Sequence, residues 1–156
     1  MTVKSRLLEL LEQHKGETLS GEDIGRELSC TRAAVWKAVN SLRQEGYPIE
    51  AGPNKGYMLA RESNLISAEG IRLFLEDPQV EIKIFDAISS TNLEARQLAV
   101  SGMAGHGSFV VAMEQTAGRG RRGREFYSPK GNGIYLSVIL EPKGTLEGSL
   151  LITTAA

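Results

Sequence analysis

The first sixty residues of the chain combine three helical patterns with a glycine- and proline-rich turn, and this order restricts the fold more than any other feature. Residues 3–16, 20–28 and 31–46 have the apolar spacing or the capping residues of helices. Residues 49–59 then place two short apolar pieces around the turn G-P-N-K-G, which predicts a β-hairpin. Three helices followed by a hairpin are typical of a winged helix-turn-helix domain, which we predict for residues 1–60.

The third predicted helix has a basic surface. From Thr31 to Gln44 it carries Arg32, Lys37 and Arg43 and no acidic residue. In a winged helix this element enters the major groove with its N-terminal residues at the bases, so the pattern predicts DNA binding. The candidate DNA contacts are Ser20, Thr31, Arg32, Ala33, Trp36, Lys37 and, at the hairpin tip, Lys55. Trp36 is also expected to pack against the hairpin, and the alternative role for the domain is binding another protein.

Composition indicates a globular protein of a reducing compartment. The chain has 156 residues, of which 41% are hydrophobic and 24% charged, and its net charge is −1. Any contact with nucleic acid must therefore come from a local basic patch. Cys30 is the only cysteine, which excludes an internal disulfide and a cysteine-rich zinc site and favours the cytoplasm. The longest apolar run, residues 109–113, is too short to span a membrane.

A change of composition separates the two halves of the chain. Residues 61–68 are mostly polar and small, which predicts a linker. A short helix should follow from residue 68 to about residue 75, with Ser67 as its N-cap. These features predict a boundary between a domain at residues 1–60 and a second domain at residues 69–156.

The second half alternates strands and helices. Residues 80–84 alternate as in a half-buried strand, residues 108–113 are nearly all apolar and so predict a central strand, and residues 134–140 predict a third. Thr91 and Glu94 have the spacing of a capping box, which predicts a helix after the first strand. The order indicates an α/β or α+β domain in which free N–H groups at this helix N-terminus would suit an anion or a carbonyl.

An arginine-rich segment lies between the last two predicted strands. Gly118 to Arg124 reads G-R-G-R-R-G-R, which matches G-x-G-x-x-G, but a strand follows where a dinucleotide fold requires a helix. Arg124 also stands where a Walker A motif requires lysine. The remaining interpretation is a glycine-flexible loop whose arginines close over a phosphate-bearing ligand. Gln115 would then bind a polar head group, and Phe126 and Tyr127 would cover a nucleobase; the alternative is a basic surface loop without a ligand.

Four segments resemble the bacterial biotin–protein ligases, specifically the bifunctional type that is also the biotin operon repressor. They are S-C-T-R-A-A-V-W-K-A-V with L-R-Q-E-G-Y in the winged helix, S-S-T-N at residues 89–92, E-Q-T-A-G-R-G-R-R-G-R at residues 114–124, and S-P-K-G-N-G-I-Y-L-S at residues 128–137. The resemblance spans essentially the whole chain. It implies a winged helix-turn-helix followed by part of a biotin/lipoate ligase-type mixed sheet domain, α/β (α+β) in class.

The resemblance also implies a reaction and a set of site residues. Biotin would react with MgATP to give biotinyl-5′-AMP and pyrophosphate, and would then pass to a lysine of a biotin carboxyl carrier protein, typically that of acetyl-CoA carboxylase. The implied biotin contacts are Ser90, Thr91, Asn92, Gln115, Arg119, Gly120 and Arg121. The implied adenylate and ATP contacts are Gly118, Arg119, Gly120, Arg121, Arg122, Gly123, Arg124 and Phe126. Arg121 would be the catalytic residue that polarises the mixed anhydride, and no metal site of the protein itself is implied.

Regulation follows from the same resemblance. Biotinyl-5′-AMP would act as corepressor, and the loaded protein would pair through its sheet into a homodimer that grips operator DNA in the cytoplasm, away from membranes. The family pattern continues beyond residue 156 with a K-W-P-N-D motif that does not occur in these 156 residues. We therefore expect this chain alone to lack ligase activity. The main alternative is a non-enzymatic, ligand-sensing transcriptional regulator; the G-R-G-R-R-G-R run argues against a lipoate-type acyltransferase.

Overall fold

The computed structural model describes residues 2–52, 56–77, 79–120 and 124–141. Its contacts divide the chain into two compact units, Met1–Pro78 and Gln79–Ala156. The sequence predicted a domain at residues 1–60, a linker at 61–68 and a second domain at 69–156, and these limits stay predictions. By contacts alone, the predicted linker lies with the first unit.

Three capped helices form the frame of the first unit. They are α1 (Val3–Gln13), α2 (Gly21–Glu27) and α3 (Arg32–Gln44). The side chains of Thr2, Ser20 and Thr31 stand at their N-caps, and each accepts a hydrogen bond from the backbone N–H three residues later. The three helices predicted from the sequence are therefore confirmed.

An antiparallel hairpin completes the winged helix. Strands β1 (Ile49–Gly52) and β2 (Gly56–Leu59) pair in a register that places Ile49 opposite Leu59. A further backbone bridge joins Leu19, between the first two helices, to Tyr57. The hairpin prediction is confirmed, whereas Lys55, its predicted phosphate contact, lies outside the described residues.

The core of the first unit draws on every one of these elements. Its fully buried side chains share an aliphatic character and are contributed by the three helices and by β2: Leu7, Leu11, Ile24, Val35, Val39, Leu42 and Leu59. Burying one such side chain contributes about 1.5–3 kcal/mol. Because the buried residues of α3 occupy one side of that helix, its opposite side is left for solvent or a ligand.

The segment after the hairpin is bonded to the first helix rather than extended away from it. Ser67 caps α4 (Ala68–Arg72), and its buried hydroxyl also donates to Glu12 Oε1 at 3.0 Å. Lys15 Nζ donates to the carbonyl of Ser63 at 2.7 Å. Burial raises the pKa of nearby Tyr47, with further upward shifts from the charges of Glu69, Glu12 and Glu45. The predicted helix exists, but it ends at residue 72 instead of about residue 75.

The second unit is a small mixed sheet with a helix on one face. Strands β3 (Ile82–Phe85), β4 (Phe109–Ala112) and β5 (Tyr135–Val138) lie in the order β3-β4-β5, with α5 (Thr91–Val100) after β3. The β3–β4 pair is parallel and the β4–β5 pair is antiparallel. The predicted central strand is confirmed. Among the described helices of both units, none combines the length and the apolar character needed to cross a bilayer.

A glycine substitution tests the junction between hairpin and helices. Gly56 has a φ of +84°, and a Cβ there would lie 2.1 Å from the carbonyl oxygen of Leu19. Gly46 has a φ of +93° with no heavy atom within 4 Å of a Cβ, so it is a matched control. Because alanine is strained in this left-handed backbone conformation, Gly46→Ala should lower the free energy of unfolding by about 1–2 kcal/mol. Gly56→Ala should cost a further ~1–3 kcal/mol from overpacking, measured by urea unfolding and far-UV circular dichroism. Equal losses in the two variants would contradict this account.

Candidate functional site

The two arms of the arginine segment are paired by backbone hydrogen bonds. Gln115 N donates to Ser128 O at 3.0 Å, Phe126 N to Gly118 O at 2.9 Å, and Gly120 N to Arg124 O at 2.7 Å. The sequence predicted a loose, glycine-flexible loop, but these arms have fixed partners. Arg121, Arg122 and Gly123 lie outside the described residues, so the catalytic assignment of Arg121 stays a prediction.

Gly118 is required for the close approach of these arms. A Cβ at this position would lie 2.5 Å from the carbonyl oxygen of Phe126 and 2.7 Å from Ser128 Oγ. The residue is buried and does not line the neighbouring pocket. The structure thus gives Gly118 a packing role, and its implied role as an adenylate contact stays a prediction.

A chain of side-chain hydrogen bonds joins the helix, the sheet and the arginine segment. Ser137 Oγ donates to Thr91 Oγ1 at 2.9 Å, and Thr91 Oγ1 donates to Gln115 Oε1 at 3.1 Å. Gln115 Nε2 then donates to Ser128 Oγ at 3.1 Å, whose hydroxyl donates to the carbonyl of Phe126 at 3.0 Å. Thr91 and Ser128 are buried, so these bonds satisfy groups that water does not reach.

The N-terminus of α5 is satisfied differently from the prediction. Ser90 occupies the N-cap without a side-chain capping bond, so the capping box predicted for Thr91 and Glu94 is wrong. The N–H of Thr91 instead donates to Gln115 Oε1 at 2.8 Å. A carbonyl does bind at this helix N-terminus, as its chemistry suggested, but it is the protein's own.

The predicted biotin residues that the structure describes meet in one open pocket of about 760 Å³, which we call the Gln115 pocket. Its lining contains seven predicted site residues: Ser90, Thr91, Asn92, Gln115, Arg119, Gly120 and Phe126. The other lining residues are Tyr127, Pro129, Asn132, Gly133, Ile134, Tyr135, Leu136 and Ser137. A volume of this size accommodates a drug-sized or nucleotide-sized ligand.

The Gln115 pocket is polar at its hydroxyl and amide groups, apolar along one wall, and positively charged at one residue. Arg119 is the one charged side chain among the described residues that line it. The rings of Phe126 and Tyr135 meet edge to face, with centroids 6.5 Å apart. Phe126 remains 54% exposed, which leaves its ring accessible to a planar ligand.

Two residues of the hydrogen-bond chain were missed by the sequence interpretation. Ser128 and Ser137 take part in the hydrogen-bond chain, and Ser137 also lines the pocket. A signal existed for Ser137, because it interrupts the apolar run I-Y-L-S-V-I-L with a small hydroxyl. Ser128 carried no such signal, since serine before proline is common in turns.

The predicted DNA-contact residues that the structure describes are all exposed. They are Ser20 on the cap of α2 together with Thr31, Arg32, Ala33, Trp36 and Lys37, whereas Lys55 lies outside the described residues. The indole of Trp36 is 61% exposed, so the expectation that it packs against the hairpin is wrong. Arg43 has a structural partner, because its Nε donates to the carbonyl of Ile49 at 2.8 Å.

Comparison with known families identifies both parts of the chain. Residues 3–58 match the HTH domain family, and residues 84–154 match the Biotin/lipoate A/B protein ligase family. The second half of the chain is thus similar to this ligase family, and the HTH match lies in front of it. The fold class and the family resemblance inferred from the sequence are thereby confirmed.

Individual relatives support the same assignment. Bifunctional ligase/repressor BirA of Bacillus spizizenii is 41% identical over 157 residues, which cover 99% of this chain and 48% of that protein. The protein of the same name from Escherichia coli is 38% identical over 137 residues, covering 88% of this chain and 41% of the relative. Biotin--[acetyl-CoA-carboxylase] ligase of Paracoccus denitrificans is 46% identical over 67 residues, covering 43% of this chain and 27% of that relative. The chain spans about half the length of the curated relatives that match nearly all of it.

Substitution at Thr91 tests the hydrogen-bond chain. Thr91→Val keeps the shape but removes the hydroxyl, which leaves Ser137 without its acceptor and Gln115 with one donor fewer. The unsatisfied hydroxyl of Ser137 should lower the free energy of unfolding by about 1–3 kcal/mol. Thr91→Ser keeps the hydroxyl and should lose only the ~1 kcal/mol of one buried methyl. Urea unfolding gives the stability loss, and the side-chain amide resonances of Gln115 should move in Thr91→Val only. Unchanged Gln115 amide resonances in Thr91→Val would contradict the hydrogen-bond chain.

Proposed function

We propose that this chain supplies the DNA-binding domain and the biotin–adenylate pocket of a biotin–protein ligase that also represses biotin synthesis genes. The observation that carries the proposal is the Gln115 pocket. It brings Ser90–Asn92, Gln115, Arg119–Gly120 and Phe126 together from separate parts of the sequence. The similarity to relatives named ligase/repressor favours this function over a non-enzymatic regulator.

The proposed reaction has two steps. A carboxylate oxygen of biotin attacks the α-phosphorus of ATP, and pyrophosphate leaves to give biotinyl-5′-AMP. The amine of a carrier lysine then attacks the acyl carbon, and AMP leaves. Mg²⁺ would enter with ATP, whose phosphates supply the oxygen ligands that this ion prefers.

The pocket divides the recognition of these substrates among different groups. Thr91 and Gln115 are fixed by hydrogen bonds and present an oriented hydroxyl and amide to the uncharged polar head of biotin. Arg119 offers a guanidinium to the developing negative charge where carboxylate and phosphate meet. Phe126 offers an exposed ring to adenine. In this proposal Arg121, predicted from the sequence, polarises the mixed anhydride.

The proposed partners are a biotin carboxyl carrier protein and operator DNA, in the cytoplasm, with a homodimer forming when biotinyl-5′-AMP is bound. The exposed face of α3 supports the DNA partner, because Arg32 and Lys37 both lie on it. Arginine can read guanine bidentately in the major groove, and lysine suits phosphate. The winged helix would thus report the loading state of the second unit to the operator.

Ligand binding tests the adenylate role of Arg119. In the protein that carries this chain, Arg119→Ala should weaken binding of a non-hydrolysable biotinyl-adenylate about 10- to 100-fold, the loss expected for a charge-assisted hydrogen bond. The affinity for biotin itself should fall by less than about threefold, because biotin lacks the phosphate. Isothermal titration calorimetry measures both, and Arg96→Ala, exposed on α5 outside the pocket, is the control. Equal losses of affinity for the two ligands would contradict the proposed role of Arg119.

DNA binding tests the first unit. Arg32→Ala should weaken binding to a duplex selected from a random library by about 5- to 150-fold, the value of one base contact. Lys37→Ala should weaken all duplexes alike and reduce the slope of log K against log salt by about 1. Arg72→Ala on α4 is the control. Fluorescence anisotropy gives the affinities, and a wild-type protein that selects no sequence would overturn the repressor part of the proposal.

A further inference from the structure

The guanidinium of Arg32 is already occupied in the structure. Its Nη2 forms an ion pair with Glu22 Oε2, which joins the start of α3 to the start of α2. Glu22 also lies 3.5 Å from Arg26 Nη2, and Arg26 Nη1 lies 3.3 Å from Asp23 Oδ1. Glu22 is therefore shared between two arginines, of which only Arg32 belongs to the predicted DNA-contact set.

This ion pair stands at the mouth of an open cleft on the same side as the hairpin. The cleft has a volume of about 350 Å³. Its lining combines the starts of α2 and α3 with the turn end of the hairpin strands: Ser20, Gly21, Glu22, Arg32, Ala51, Gly52, Gly56 and Tyr57. In a helix-turn-helix complex the helix before the recognition helix crosses the DNA backbone. A carboxylate thus lies where phosphates would approach.

The pair contributes little to holding the fold together. The side chains of Arg32 and Glu22 are 72% and 60% exposed, and exposed ion pairs are largely screened by water and salt. The contact between α2 and α3 rests instead on buried residues such as Ile24 and Val35. An acidic residue is therefore retained beside a DNA-contact arginine without being needed to pack the domain.

We propose that Glu22 is a positioning residue for sequence discrimination, acting by holding Arg32 away from phosphate until a base edge replaces the carboxylate. This inference rests on the DNA-binding part of the proposed function. Non-specific binding arises from contacts between cations and phosphates, and each contact releases counterions. A phosphate is, like the Glu22 carboxylate, an anionic acceptor for arginine, so exchanging one for the other gains Arg32 little. The O6 and N7 acceptors of guanine offer a bidentate site that the ion pair lacks.

Arg26 makes this exchange feasible. When Arg32 leaves, Glu22 keeps a cationic neighbour, because Arg26 lies within ion-pair distance of it. Arg26 is further fixed by Asp23, whose carboxylate also accepts from Ser20 Oγ at 2.6 Å. The carboxylate is therefore not left unpaired at the DNA surface when Arg32 moves to a base edge.

The experiment compares Glu22→Gln with Glu27→Gln, which removes the same charge from an exposed position on the same helix outside the cleft. Fluorescence anisotropy on the protein that carries this chain measures affinity for a random-sequence duplex and for a duplex selected from a random library. Glu22→Gln should raise the random-duplex affinity about 3- to 10-fold and steepen its salt slope by about 1. The selected duplex should change by less than about twofold, so the specificity ratio should fall.

A double-mutant cycle shows whether Glu22 acts through Arg32. In an Arg32→Ala background, Glu22→Gln should raise the random-duplex affinity no more than Glu27→Gln does. An undiminished gain there would mean that Glu22 only repels phosphate, which would overturn the positioning role. Equal effects of Glu22→Gln and Glu27→Gln in the wild-type background would overturn it as well. Both outcomes presuppose a wild-type protein that prefers its selected duplex; if it shows no preference, the DNA-binding proposal itself fails.

Discussion

The candidate site depends on the hydrogen bonds of the Gln115 side-chain amide. Its oxygen accepts from the backbone and the hydroxyl of Thr91, and its nitrogen donates to Ser128. One side chain therefore connects the first turn of α5 to the arm that returns after the arginine segment. Because the amide consumes the N–H of Thr91, the start of α5 presents hydroxyl and amide groups to a ligand. Recognition of an anion then falls to arginine, and Arg119 lies in the same pocket.

The first unit depends on a different constraint, which is the closure of its core around α3. Val35, Val39 and Leu42 are fully buried, so the rotation of this helix about its axis is fixed. The residues on its other side, among them Arg32 and Trp36, are exposed as a consequence. A DNA-contact surface on a helix held in this way keeps its geometry without a ligand, which limits the entropy lost on binding.

Periodicity and capping were sufficient to predict the helices, the hairpin and the central strand, because these signals are local. Two of the failures share a cause, since each involves a partner distant in sequence. The capping box at Thr91 did not form because Gln115, 24 residues later, supplies the acceptor. Ser137 was overlooked because its partner lies 46 residues away.

The close packing around Gly118 likewise depends on atoms that the sequence pattern does not identify. A G-x-G pattern indicates that side chains are not tolerated, but it does not say what excludes them. In this chain the excluding atoms are the Phe126 carbonyl and Ser128 Oγ, which belong to the protein. The glycine therefore brings two arms together, and the pocket acquires Gly120 and Arg119 on its edge as a result.

The exposed apolar residues near the pocket complete the argument for its ligand. Ile134 and Leu136 are 63% and 53% exposed, and both line the Gln115 pocket. Covering such surface is favourable by about 25 cal/mol per Å², so a ligand with an apolar segment gains from lying against them. A small anion could satisfy Arg119 but would leave this wall in water, and a purely apolar ligand would leave the guanidinium without an anionic partner. A molecule that joins an uncharged polar head, an alkyl chain and a phosphate would match all three parts of the pocket, and the biotinyl adenylate that we propose as ligand has that order of groups.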